Sequence, residues 1–200
     1  MIYRTDEANS RQPDVQTVAT RDGETVKRVY FNHSEREETD EAGEGEEPRQ
    51  RIVHVANFIE LPTAETEARA IARQYMQQAI NDYDNSEAVN QFEFNVEASG
   101  ITIPYWLSVA KRAQIRESVS AWKAARKGNY KLDVREYDMT LEIPCAELLA
   151  MLQELEVYAV KCYNQTSEHL KAIDDMEMTV EDILNYDFTT GYPEKLAFTI

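Results

Sequence analysis

From Pro144 to about residue 174 the chain has one regular conformation open to it. Leu148, Leu152, Leu155, Ala159, Cys162, Thr166, His169 and Ile173 recur at alternating steps of four and three residues. A strand repeats every second residue, so this spacing specifies one edge of an α-helix with a heptad seam. A helix over about 145–174 would be roughly 45 Å long, longer than a small domain is wide. A second stripe, Leu149, Val160, Tyr163 and Leu170, runs beside the first. Two arrangements satisfy the pattern. In one, the second stripe serves the chain's own core while Leu148, Leu152, Leu155, Ala159 and Cys162 face another copy. In the other, both stripes pack inside the monomer. Thr166 and His169 make the distal half of the seam polar and a poorer dry interface.

The segments before Pro144 read as mixed strand and helix. Residues 1–25 are polar and contain Pro13 and Gly23, which suggests an extended or loosely docked arm. Val29, Phe31 and His33 alternate with polar residues, as do Val53, Val55, Asn57, Ile59 and Leu61, predicting an antiparallel hairpin with a long loop. After Pro62, a helix is expected over 64–83, carrying Ala68, Ile71, Tyr75, Ala79 and Tyr83 on one face. Phe92, Phe94 and Val96, then Ile101, Ile103 and Tyr105, predict a short hairpin whose Pro104 confines the second strand to an edge. A helix over 106–127 follows, with Trp106, Ala110, Ala113, Ile115, Val119 and Trp122 on its apolar face and Gly128 as the residue that ends it. The strand pattern of 130–143 changes phase at Arg135-Glu136, which demands a bulge or a break. Thr179 with Asp182 reads as a capping box, and Leu196, Phe198 and Ile200 as a terminal strand. The expected class is α+β. An N-terminal arm and hairpin module would span 1–62, with a mixed body over 63–200.

Charge narrows the function. The chain has 21 basic and 37 acidic residues in 200, a net charge of −16. Glu35, Glu37, Glu38, Asp40, Glu41, Glu44, Glu46 and Glu47 face one base, Arg36, so this stretch alone carries −7. With Gly43, Gly45 and Pro48 it reads as a self-repelling loop over 34–50 at the hairpin tip. A calcium site needs oxygens held on a defined turn, and the D-x-D-x-D-G order is missing. Such acidity argues against binding nucleic acid through its phosphates. No apolar run suits a membrane span, and residues 1–9 lack the apolar stretch of a signal peptide.

No catalytic constellation stands out. There is no G-x-S-x-G, glycine-rich phosphate loop, H-E-x-x-H or C-x-x-C. No catalytic residue, metal ligand or cofactor is therefore expected. His33 and His54 are potential neighbours across the first hairpin and, with adjacent acids, a potential divalent-metal pair. His169 lies on the helix seam. Cys145 and Cys162 are 17 residues apart on one helix, too far to bond to each other, and read as small buried hydrophobes. Trp106 and Trp122 supply core or interface area.

Beyond Phe92 the chain resembles a family of phage and prophage domains found in tail-fibre-associated and tail-fibre-assembly-like proteins. The residues that carry the likeness are Phe92-Glu93-Phe94 to Ile101-Thr102-Ile103, Tyr105-Trp106-Leu107 with Arg112, and Met139-Thr140-Leu141-Glu142-Ile143-Pro144 leading into the leucine seam. Cys162-Tyr163-Asn164, Glu168-His169 and Gly191-Tyr192-Pro193-Glu194-Lys195-Leu196 add to it. The resemblance implies a non-enzymatic structural or assembly protein of the tail or fibre region. It would sit in the virion, or in the host cytoplasm during assembly. Its partners would be tail or fibre proteins or other copies of itself, with an interface drawn from Leu148, Leu152, Leu155, Ala159, Cys162, Trp106 and Trp122. The acidity suggests an alternative, an inhibitor that mimics nucleic acid and occupies a host enzyme's basic groove.

Overall fold

The computed structural model describes residues 4–8, 10–20, 24–40, 49–174 and 177–200. In chain order the elements are β1 (Arg4–Ala8), β2 (Val15–Ala19), β3 (Thr25–Asp40), β4 (Arg49–Leu61), α1 (Glu65–Asp84), β5 (Phe92–Val96) and β6 (Ile101–Tyr105). Then come α2 (Val109–Ala124), β7 (Asn129–Val134), β8 (Met139–Pro144), α3 (Cys145–Ile173), α4 (Val180–Leu184) and β9 (Ala197–Thr199). The class is α+β, as the sequence pattern predicts. The chain divides into two compact units, Met1–Ile80 with His169–Phe188, and Asn81–Glu168 with Thr189–Ile200. The division expected at Pro62 is thus displaced.

The reason lies in the first unit. Its four-stranded antiparallel sheet has the order β1-β4-β3-β2 and presents Val29, Phe31, Ile59 and Leu61 on one face. An apolar sheet face needs a cover. Ala68, Ala72, Met76 and Ile80 of α1 supply it, together with Ile173, Val180, Ile183 and Leu184. The buried face of α1 is therefore turned slightly from the one expected, and Ile71 and Tyr75 sit at its margin. The described parts of the polar N-terminal arm include two paired strands. β1 pairs with β4 and β2 with β3, making both into edge strands. Between them, Gln12 Nε2 donates to Asp6 O at 3.1 Å and to His54 O at 3.3 Å. The β3–β4 register slips between Phe31 and Ser34, where Asn32 takes a φ of 53°. Asn tolerates this left-handed conformation better than most residues. The predicted Thr179–Asp182 capping box starts α4.

The second unit holds two small sheets. β5 pairs with β6 antiparallel and with β9 parallel, so the predicted terminal strand is paired and Pro104 does lie on an edge strand. Phe92 packs edge-on against Phe94, with ring centroids 5.0 Å apart, and against Phe198 at 5.7 Å. β7 and β8 form a hairpin. The phase change falls on a 3-10 turn at Arg135–Tyr137, followed by Asp138 at φ 49°, so the break absorbs it. α2 begins after Ser108, whose hydroxyl accepts from Lys111 N at 3.3 Å. It ends in a Schellman arrangement. Arg126, not Gly128, takes the left-handed position at φ 59°, and Lys127 N donates to Trp122 O at 3.0 Å. α3 lays Leu148, Leu152 and Leu155 into one cluster with the Phe92, Phe94 and Phe198 rings and with Leu132, Val134, Leu141 and Ile143.

One buried charge is built into this core. Arg112, not Ala110 or Ala113, extends the buried face of α2, and it is 1% exposed. Its Nε meets Glu156 Oε1 at 3.1 Å, its Nη1 donates to Leu107 O at 2.6 Å, and Arg116 reaches the same carboxylate at 2.9 Å. Hydrogen bonding to Arg112 holds the Glu156 carboxyl below the usual carboxylate range. A depressed carboxyl stabilises the fold above its unfolded-state pKa of about 4.3 and loses that contribution as pH falls through its folded value. Glu156→Gln is expected to cost about 1–2 kcal/mol near neutral pH, after solvent screening of a partly open carboxylate. Urea unfolding should show the deficit narrowing as pH drops below about 4. A deficit independent of pH would mean the ion pair is not its source.

Candidate interaction surface

α3 is a single helix of 29 residues from Cys145 to Ile173. The seam expected to face another copy faces inward instead. Leu148, Leu152, Leu155 and Cys162 are between 0% and 4% exposed, and Ala159 is half-buried. The interface assigned to these residues is therefore corrected. Heptad spacing fixes which residues share an edge, and the nearest uncovered apolar face takes that edge; here it is the aromatic face of β5, β6 and β9. Trp106 and Trp122 are likewise half-buried by their own unit. The Arg112 guanidinium lies 5.4 Å from the Trp106 ring centroid. Trp122 packs edge-on on Tyr130 at 5.4 Å, with Lys127 Nζ 4.6 Å from its ring.

The polar part of the seam is satisfied within each unit. Thr166 Oγ1 lies 2.7 Å from Asp84 Oδ1 and 2.9 Å from Tyr192 Oη. Tyr158 donates to Val89 O at 2.8 Å, and burial pushes its phenol upward. In the other unit His169 Nδ1 is 2.7 Å from Tyr186 Oη. Cys145 and Cys162 are both buried free thiols, and burial also raises the Cys162 pKa.

Among the residues that α3 leaves to solvent are three large apolar ones. Val157 is 56% exposed, Val160 58% and Tyr163 71%. Beside Val157 runs a groove of about 540 Å³, lined by Val157, Tyr158, Pro193, Glu194 and Leu196 together with Glu154 and Lys161. Of the second stripe, Leu149 and Leu170 turn partly inward while Val160 and Tyr163 stay outside. The sequence does signal this face. Gln153, Val157, Val160 and Asn164 repeat the four-three spacing on the side opposite the leucines.

The acidic stretch is only partly a loop. Glu35, Glu37, Glu38 and Asp40 lie in β3, while Glu41, Glu44, Glu46 and Glu47 fall outside the described residues. Glu38 pairs with Arg36 at 2.6 Å and with Arg51 at 2.8 Å, and its carboxyl is held low, first by Arg51. Arg36 also reaches Glu7 at 3.0 Å. Strand pairing brings these charges into opposite-sign sets, which offsets part of the repulsion in this part of the hairpin. His33 and His54 do line one pocket, with Arg11, Ser34 and Glu35. Each has an acid nearby, Asp14 at 3.3 Å from His33 and Glu35 at 3.3 Å from His54. Among the described residues no three His, Cys, Asp or Glu side chains are placed to hold a metal ion, and no helix is long and apolar enough to cross a membrane.

The inner and outer faces of α3 should respond differently to truncation. Leu152→Ala is expected to cost about 2–5 kcal/mol of unfolding free energy through cavity formation. Val157→Ala and Val160→Ala should stay within about 0.5 kcal/mol of the parent. Equal losses at Leu152 and Val157 in urea titrations would show that the outer face is already covered. Comparison of the chain with family models, with curated protein sequences and with solved structures returned no match.

Proposed function

We propose that this chain is a non-enzymatic docking protein, a structural component or assembly factor of a phage tail or fibre region. The single observation that supports docking is the exposed apolar face of α3, where Val157, Val160 and Tyr163 stand together beside a groove. Isolated exposed apolar residues are ordinary, but a contiguous set on one rigid element favours protein contact. The tail or fibre assignment comes from the resemblance carried by the Phe92–Phe94 hairpin, the leucine seam and the Gly191–Leu196 ending. On this reading α3 works in two directions. Its inner edge fixes the fold, and its outer edge offers a surface that ordered residues hold in place before any partner arrives, which lowers the entropy cost of binding.

The test is retention of purified tail and fibre proteins from the same genome on the immobilised chain. The parent should retain at least one of them. Val157→Lys with Val160→Lys should reduce that retention by about tenfold or more, because a charge placed in an apolar contact is left unpaired. Circular dichroism should stay unchanged, since both positions are exposed. No retention by the parent, or equal retention by the variant, would overturn the reading.

A further inference from the structure

The outer side of α3 carries its own heptad seam, and we propose that it pairs with the same seam of a second copy, antiparallel about a two-fold axis. This rests on the docking reading and takes a second copy as the resting occupant of that face, which a tail or fibre protein bound there would displace. Ala150, Gln153, Val157, Val160, Asn164 and Ser167 recur at steps of four and three, with only Ser167 half-buried and the rest exposed. They form an edge pointing away from the leucines. Apolar residues at this spacing pack helix against helix by knobs into holes, and here Val157 and Val160 supply the apolar centre between the polar Gln153, Asn164 and Ser167. Residues 146–168 give such a pair about 33 Å of length.

Charge sets the partner and the register. Glu154 and Lys161 flank the seam on one side, two turns apart, both exposed and with no ion-pair partner among the described residues. When Val157 of one copy meets Val160 of the other, Gln153 meets Asn164 and Ala150 meets Ser167. In that register Glu154 stands opposite Lys161 of the second copy, and two-fold symmetry makes the pair twice. A slip of one heptad in either direction sets Glu154 against Glu154 or Lys161 against Lys161. A parallel pairing brings Lys161 to Glu156, which Arg112 and Arg116 already hold, and leaves Glu154 with no cation. The antiparallel register is therefore the one in which the face complements itself. That matters for a chain of net charge −16, since two copies repel unless the contact itself is balanced. Glu154 and Lys161 line one groove with Pro193, Glu194 and Leu196, which leaves space on this flank for the opposing side chains. Glu147 stands against Glu168 of the second copy in this register, and the two-fold axis makes that repulsion twice as well.

Sedimentation equilibrium on the full chain tests the pairing. The parent should show a concentration-dependent monomer–dimer equilibrium. Glu154→Lys or Lys161→Glu alone should each weaken it by about tenfold, because two attractive pairs become two repulsive ones. The double variant should recover the parent's affinity. Glu168→Lys should tighten the dimer several-fold by turning the end repulsion into attraction. A parent that stays monomeric, single variants without effect, or a double variant that fails to recover would each overturn the pairing. A monomeric parent that still retains fibre proteins, and loses them on Val157→Lys with Val160→Lys, leaves the docking reading intact and removes the dimer alone.

Discussion

The second unit depends on one act of burial, the leucine edge of α3 closing over the Phe92, Phe94 and Phe198 rings. A two-stranded hairpin is at best marginally stable in water, and the aromatic face of the three-stranded sheet needs a cover. Covering both with one helix joins them into a single core in which Leu132, Val134, Leu141 and Ile143 also take part. Each fully buried aliphatic or aromatic side chain contributes about 1.5–3 kcal/mol, which ordering the chain largely offsets. The helix also carries Glu156, the carboxylate that makes Arg112 tolerable at 1% exposure. Without that partner the buried guanidinium would carry an unbalanced charge. Packing and charge compensation in this unit thus come from the same element.

Much of this was legible from spacing, and the misses share a cause. The capping box at Thr179, the edge strand marked by Pro104 and the break at Arg135-Glu136 are local events, and local residues determine them. The length of α3 was equally plain. What covers its edge was not, because a heptad records periodicity and carries no record of the surface it meets. The same limit hid Arg112, whose charge disguises a buried position until Glu156, 44 residues away in sequence, is brought beside it. β1 and β2 are mostly exposed, so they show no alternating pattern. They are strands because β3 and β4 offer backbone partners, and a sequence window contains no trace of that.

The candidate surface was half legible. Val160 and Tyr163 were visible as a second stripe, yet only their exposure separates them from Leu149 and Leu170. Val157 belongs to a third angular position on the helix, where alanines and amides dilute the apolar signal. Charge misled in the opposite direction. Counting acids over residues 35–47 predicts repulsion, whereas strand pairing sets Arg36 and Arg51 against Glu38 and removes part of it.

The two thiols have a practical consequence. Cys145 and Cys162 are 3% and 4% exposed, and burial disfavours the thiolate at Cys162. Since only an accessible thiolate reacts with maleimides or methanethiosulfonates, the folded chain is silent to such reagents. A cysteine introduced at an exposed site would be the sole position to take a spin label or dye. Nanometre-scale distance measurements are thus open to the native sequence without first stripping its own sulfur.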